Sequence, residues 1–307
     1  MIAALQTILA AFIATFAALS APFTNTQIYV AAPAAAIPQA TVLFGGDMMF
    51  DRSVRTAMNT YGGDFVLSCL DPVLEDADLV VANLEGPITS NASKSVGSIP
   101  GSAANYVFTF ATSTAALLRE HGIRMVNLGN NHILNFHNAG VRSTIRYLSA
   151  AGVDYFGDPL SFRVATSSVG GVHLAFINYN EFGGDTQTTI RQIKEARASG
   201  LIPVVYTHWG VEYATTSPLR LRRLAHEFVD AGAEIVFGSH PHVVEEREIY
   251  GGKYIYYSLG NLIFDQYWND DVSHGLMVKV AFDARGVMSV QDIPVALSRD
   301  RGTCPVR

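Results

Sequence analysis

Short apolar runs alternate along the chain with amphipathic stretches, the pattern expected of strands interleaved with helices. Thr41–Phe44, Asp78–Leu84, Met125–Leu128, Leu201–Tyr206 and the run Ile235-Val236-Phe237 are largely apolar and short, as strands buried on both faces are. Helical character falls on Arg52–Thr60, Ser113–Glu120, Val141–Ala151, Ile190–Ala198 and the stretch around Leu221, Leu224 and Phe228. Gly122, Gly152, Gly200 and Gly232 stop four of these segments. Val73–Ala77 reads as a helix end and Asp154–Gly157 as a short strand. Three strand pairs are expected: Arg163–Ser168 with Val172–Ile177, Val244–Ile249 with Lys253–Ser258, and Gly275–Phe282 with Val287–Val295, each around a glycine-bearing turn. Asn91–Asn105 and Asn180–Thr189 are polar loops, and the first is long enough to cover a site.

The first forty residues break the pattern. Met1–Ala21 is almost wholly apolar and long enough to span a bilayer, while no Lys or Arg precedes Arg52 to orient it. It reads as a signal peptide or membrane anchor, followed by an Ala/Pro-rich linker over 22–40. The globular domain then covers 41–296 and a short tail 297–307, and the chain is expected outside the cytoplasm, anchored or released. The 307 residues carry a net charge of −6 with no basic run, which argues against a nucleic-acid partner. Cys69 and Cys304 are the two cysteines; they make no metal motif, and whether they pair is left open.

Chemistry concentrates where the apolar runs stop. Thr41–Phe44 leads to Asp47, Asp78–Leu84 to Glu85, Met125–Leu128 to Asn131 and His132, Leu201–Tyr206 to His208 and Glu212, Ile235–Phe237 to His240 and His242, and a later run to Asn261. In an open α/β sheet, ligands bind outside the carboxyl ends of strands. Carboxylates, an amide oxygen and imidazoles together suit a divalent transition metal such as Mn, Fe or Zn, as one or two ions. In a binuclear reading Glu85 bridges. Asn131, His208 and His240 complete one metal, and Asp47 and His242 hold the other. His132 protonates a leaving group, and Arg52 clamps an anionic part of the substrate. Asp51, Glu212 and Asn261 are further candidates for substrate contact, with Asp51 also available to a metal. His274 is a candidate contact for a polyanion, and Trp209 and Tyr213 could wall the pocket.

Gly46-Asp47, Asn83-Leu84-Glu85, Asn130-Asn131-His132, His208-Trp209-Gly210 with Glu212, Gly238-Ser239-His240-Pro241-His242 and Ser258-Leu259-Gly260-Asn261 together resemble the CapA family of capsule and poly-γ-glutamate synthesis proteins, related to the calcineurin-like metallophosphoesterases. The resemblance runs from Thr41 to Phe282. It implies an α/β (α+β) fold, a four-layer αββα sandwich. It also implies a bacterial surface role with an anionic polymer, poly-γ-glutamate, and other polymer synthesis proteins as partners. Hydrolysis or transfer at a γ-glutamyl bond is the leading expectation. An extracytoplasmic phosphoesterase and a non-catalytic scaffold are the alternatives. Two departures stand out: Met48-Met49 follow Asp47 where Asp-x-His is usual, and Glu85 stands where the metallophosphoesterases bridge with Asp.

Overall fold

The computed structural model describes residues 39–306; the segment expected to be a signal peptide or anchor, and most of the linker, lie outside them. In chain order the strands are β1 (Gln39–Met48), β2 (Leu79–Leu84), β3 (Ile123–Asn127), β4 (Asp154–Phe156), β5 (Ala165–Val169), β6 (Val172–Asn180) and β7 (Ile202–His208). They continue as β8 (Ile235–Ser239), β9 (Arg247–Tyr250), β10 (Lys253–Tyr256), β11 (Asn261–Ile263), β12 (His274–Asp283), β13 (Gly286–Leu297) and β14 (Thr303–Pro305). The helices are α1 (Arg52–Tyr61), α2 (Asp71–Leu74), α3 (Thr114–Glu120), α4 (His137–Ala151), α5 (Thr186–Ala198) and α6 (Leu219–Asp230).

Two sheets form. One runs β14-β13-β12-β1-β2-β3-β4, with β11 also paired to β1; the other runs β5-β6-β7-β8-β10-β9. β1 to β4 are mutually parallel, as are β6, β7, β8 and β10. Three buried clusters explain the layering. Val42, Phe44 and Val81 from the first sheet meet Phe176, Val204 and Phe237 from the second in a layer between the sheets. Leu43, on the opposite face of β1, packs with Val54, Leu118, Val141 and Leu148 of the helices outside. Ala175, Val205 and Val236 face Ile193, Leu221, Ala225 and Phe228 of α5 and α6. The alternation of side chains along each strand thus feeds two layers at once, and the αββα sandwich follows.

Three expectations change. α5 starts at Thr186, inside the stretch read as loop, because the Asp185 carboxylate accepts from Thr188 N–H (2.7 Å) and caps a polar first turn. α4 starts at His137 rather than Val141. The segment read as a tail contains β14, which pairs with β13, and Cys304 on it is disulfide-bonded to Cys69, 235 residues away. A crosslink of this kind stabilises by about 2–4 kcal/mol, so Cys304→Ser is expected to lower Tm by roughly 5–15 °C. A melt of variant and wild type, with and without reductant, checks this; an unchanged Tm would show that the crosslink adds no stability. Among the described residues, no helix is long and apolar enough to cross a membrane.

Candidate metal centre

Parallel strands place their carboxyl ends on one edge, and register does the rest. Asp47 on β1 lies opposite Asn83 on β2 and opposite Asn261 on β11. In the second sheet His208 at the end of β7 lies opposite Ser239 at the end of β8. The glycine before Asp47 is required by close approach: a Cβ on Gly46 would stand 1.9 Å from the Gly260 carbonyl oxygen. Asp47 N–H donates to that same carbonyl (3.0 Å), which fixes the carboxylate at the strand end. After β8 the chain turns through His240 and His242, both in the left-handed region (φ 99° and 60°). Such backbone costs ~1–3 kcal/mol per residue and collects at functional sites.

Asp47, Glu85 and His208 are fully buried, and each offers a ligand atom within 4.8 Å of the others. This set crosses the expected partition, which gave Asp47 and His208 to different ions. His242 joins it, with Nδ1 3.3 Å from Asp47 Oδ2 and Nε2 3.6 Å from Glu85 Oε1. His132 Nε2 lies 3.9 Å from the same Glu85 oxygen. Asn131 Oδ1 is 2.9 Å from His208 Nε2. His240 packs beside His208, ring centroids 4.9 Å apart, under the ring of Phe182.

Outer hydrogen bonds fix the imidazoles. Ser239 gives its proton to the Thr207 carbonyl, so its oxygen accepts from His208 Nδ1–H (2.9 Å). Asn261 donates through Nδ2 to the His242 and Val272 carbonyls, so its Oδ1 accepts from His242 Nδ1–H (3.0 Å). Asn135 Oδ1 accepts from Phe108 N–H and, likewise, from His132 Nδ1–H (3.1 Å). In His208 and His132 Nε2 is left as a lone pair facing the cluster, and His242 turns its Nε2 toward Glu85. That is the arrangement by which outer partners orient metal-ligating histidines.

These residues fit a divalent cation. The Nε2 lone pair of His208 faces the Asn131 carbonyl oxygen, an acceptor–acceptor pair that a cation between them would relieve. Glu85 Oε1 and His240 Nδ1 are buried without a hydrogen-bond partner. Burial and the Asp47 charge push the Glu85 carboxyl well above its ordinary range. Burial also pushes Asp47 upward, but His242, His208 and Asn83 outweigh it and hold that carboxyl low. Desolvation keeps three of the imidazoles neutral: His208 lies well below its ordinary value, His132 falls to about 4 and His240 to about 3. Neutral imidazole is the ligating form.

The remaining candidates divide. Arg52 and Glu212 line a cavity of about 150 Å³ that reaches His132 and His242. Tyr213 also lines it, whereas Trp209 is fully buried and donates Nε1–H to the Tyr257 carbonyl, a core position. Asp51 does not face the cavity's chemistry: one oxygen accepts from Arg55 Nε (2.9 Å) and the other from Thr109 N–H (2.8 Å). Its part is to pin the loop before Phe110 to α1. Asn261 is likewise spent on His242, Gln266 and Val272, so it positions a ligand and has no free group for substrate. His274 is exposed, and its Nδ1 hydrogen-bonds to the Asp270 carbonyl, away from the cluster. Met49 is buried, and its sulfur accepts from Asp51 N–H (3.0 Å), so the position of the missing imidazole is a packing position.

Asn83 stands in the Asn83-Leu84-Glu85 motif, but its role is not legible there. Its Nδ2 donates to Asp47 Oδ1 (2.8 Å), and its Oδ1 accepts from Asn127 (2.9 Å) and Asn130 (3.1 Å). The available signal was that asparagines recur at the ends of β2 and β3. Loss of an outer partner of this kind lowers metal affinity by about 10–100-fold. Asn261→Ala is therefore expected to weaken metal binding by that factor while the protein stays folded. Titration calorimetry with Mn or Zn measures it, and an unchanged affinity would remove Asn261 from the site.

A two-sheet sandwich with a buried carboxylate–imidazole–amide cluster at the shared strand ends defines the class: an α/β sandwich whose cluster could hold a metal ion. The chain belongs to the bacterial capsule synthesis protein PGA_cap family, which matches residues 41–266. It is similar to the capsule biosynthesis protein CapA of Bacillus anthracis, 30% identical over 251 residues, covering 74% of this chain and 60% of that one. The PGA biosynthesis protein CapA of Bacillus subtilis (strain 168) is also 30% identical, covering 73% of this chain and 63% of that one. The chain thus spans somewhat over half the length of these relatives. The crystal structure of TT1561 of Thermus thermophilus superposes with a TM-score of 0.44 at 10% identity, over 84% of this chain and 98% of that one, too low a likeness to bear on function.

Proposed function

We propose that this protein acts outside the cytoplasm in the synthesis of an anionic polyamide of the poly-γ-glutamate kind, breaking or transferring a γ-glutamyl amide bond with the help of a divalent transition ion. The observation that carries the reading is the set of inward lone pairs on Asp47, Glu85, His208 and His242 beside a cavity that also holds Arg52. The polymer is taken from what the two relatives are named for, capsule and PGA biosynthesis. The Cys69–Cys304 disulfide supports an oxidising compartment, in keeping with export.

Asp47, Glu85, His208 and His242 would hold the ion, with Asn131 and His240 next to them. Such an ion polarises a carbonyl oxygen as a Lewis acid and lowers the pKa of water. The chain's own groups do the rest. Arg52 presents its guanidinium to a substrate carboxylate. The neutral His132 takes a proton at Nε2 from the attacking nucleophile and hands it to the leaving nitrogen as the C–N bond breaks and a new bond to the carbonyl carbon forms. Phe108 and Phe182 cover His132 and His240 and limit water.

The test is incubation of the full chain with γ-linked glutamate polymer and Mn, Fe or Zn, followed by polymer size and newly formed amino groups. Shortening or transfer that stops with chelator supports the reading. Turnover of a phosphodiester in its place would favour the phosphoesterase, and metal binding with neither activity would favour a scaffold.

A further inference from the structure

The 150 Å³ cavity that reaches the candidate metal centre at His132 and His242 is smaller than the ~300–1,000 Å³ that ligand sites occupy. It does not end there. A second cavity of about 400 Å³ lies outside it, and the two share Arg52, Pro100, Asn105 and Trp268 in their walls. The inner part has room for one reacting unit. The outer part has room for more of the same molecule.

Arg52 stands at the junction, in the left-handed region (φ 47°), with its guanidinium between Phe108 (5.1 Å) and Phe264 (5.3 Å). Its Nη2 donates to Asp265 Oδ1 (2.5 Å), while its buried Nε–H has no partner. One donor is therefore held in place with nothing to bind. Asp265 is ion-paired with Arg52, and its other oxygen accepts from Ser53 N–H (3.2 Å) and Ser53 Oγ (2.7 Å). Behind Ser53, Arg301 donates Nε–H to the same hydroxyl (2.8 Å) and adds a positive charge beside the wall. The remaining outer wall is hydroxyl and amide, from Thr56, Ser98 and Asn105, with the exposed indole of Trp268 along it. Hydroxyls, an amide and Arg52 in the wall, with Arg301 behind Ser53, match a chain of amide bonds carrying carboxylates, and Pro100 and Trp268 give its methylene groups apolar surface to lie on.

Resting on the function proposed above, we infer that the outer cavity is a chain-binding subsite: an anionic polyamide threads past Arg52 and Trp268, with one unit at the metal cluster and the following units along Ser53, Thr56 and Ser98. The site then reads a polymer rather than a monomer. Affinity rises with chain length until the outer cavity is filled, and stays level beyond it.

Titration calorimetry of the full chain with γ-linked glutamate oligomers of increasing length tests this. Wild type is expected to gain at least about tenfold in affinity between the dimer and the longer oligomers. Thr56 is exposed on α1, so Thr56→Trp fills the cavity without touching the core, and it is expected to bring the gain close to one. Thr56→Ser keeps the gain, and Arg301→Gln reduces both the gain and its sensitivity to salt. Affinity that does not depend on length, or a gain that survives Thr56→Trp, overturns the subsite and leaves the function proposed for the metal site standing. A length gain shown by neutral glucan oligomers and not by glutamate oligomers overturns the ligand class. No binding of any glutamate oligomer overturns both proposals.

Discussion

Glu85→Gln is expected to make the metal-free protein more stable and to abolish its stabilisation by metal. Glu85 is buried, lies beside the charged Asp47, and keeps one oxygen without a hydrogen-bond partner. An unsatisfied buried group costs ~1–3 kcal/mol. Glutamine cannot ionise and adds an N–H donor at the position 3.6 Å from His242 Nε2. The metal-free variant should therefore melt roughly 3–10 °C above wild type. The sign of the pH effect follows from the raised carboxyl. Folded Glu85 holds its proton more tightly than the unfolded chain, whose carboxyl titrates near 4.5. Metal-free wild type thus loses stability as pH rises above about 4.5, and the variant lacks that slope. Metal reverses the order. An ion at a hundred times its Kd adds about 2.7 kcal/mol to the protein that binds it, and the variant should gain almost none of this. Melts with chelator and with Mn or Zn, across pH, measure all of it. A metal-free variant less stable than wild type would mean that Glu85 is satisfied by the protein alone.

His132→Ala is expected to lower kcat about 10²–10⁴-fold while metal content stays at the wild-type level. The imidazole is fixed on both sides: Asn135 holds Nδ1–H, and the Phe108 ring lies against it with centroids 4.2 Å apart. Burial brings its pKa to about 4, so at neutral pH it is a proton acceptor and becomes an acid only after taking a proton. Steady-state kinetics with metal analysis on the same samples separates proton transfer from ligation. Loss of metal together with activity would make His132 a ligand.

The centre of the fold was legible because its strands are buried on both faces. Val204–Tyr206 and Ile235–Phe237 are continuous apolar runs with polar groups at their ends, and the topology has only to align those ends. What was illegible depends on contacts across the chain. Asp51 follows Asp47 by four residues, yet it turns to Arg55 and Thr109, and nothing in its neighbourhood states that direction. β11 and β14 are three residues each, too short for a pattern, and exist because β1 and β13 offer them an edge. The Cys69–Cys304 pairing joins residues 235 apart, a separation from which no distance can be read. Asn261 was found at the right place with the wrong task, since a strand-end asparagine looks the same whether it meets substrate or holds a histidine.

Metal content by mass spectrometry, on the full chain beside Asp47→Ala and His208→Ala, tests the central claim most directly. At least one divalent transition ion per chain, lost in both variants, is the result expected from the inward lone pairs of the cluster. A single ion would agree with Met49 packing where a further imidazole is usual, and a second would bring His240 into ligation. No bound ion after incubation with Mn, Fe or Zn would contradict the account and leave Asp47, Glu85 and His208 without a function.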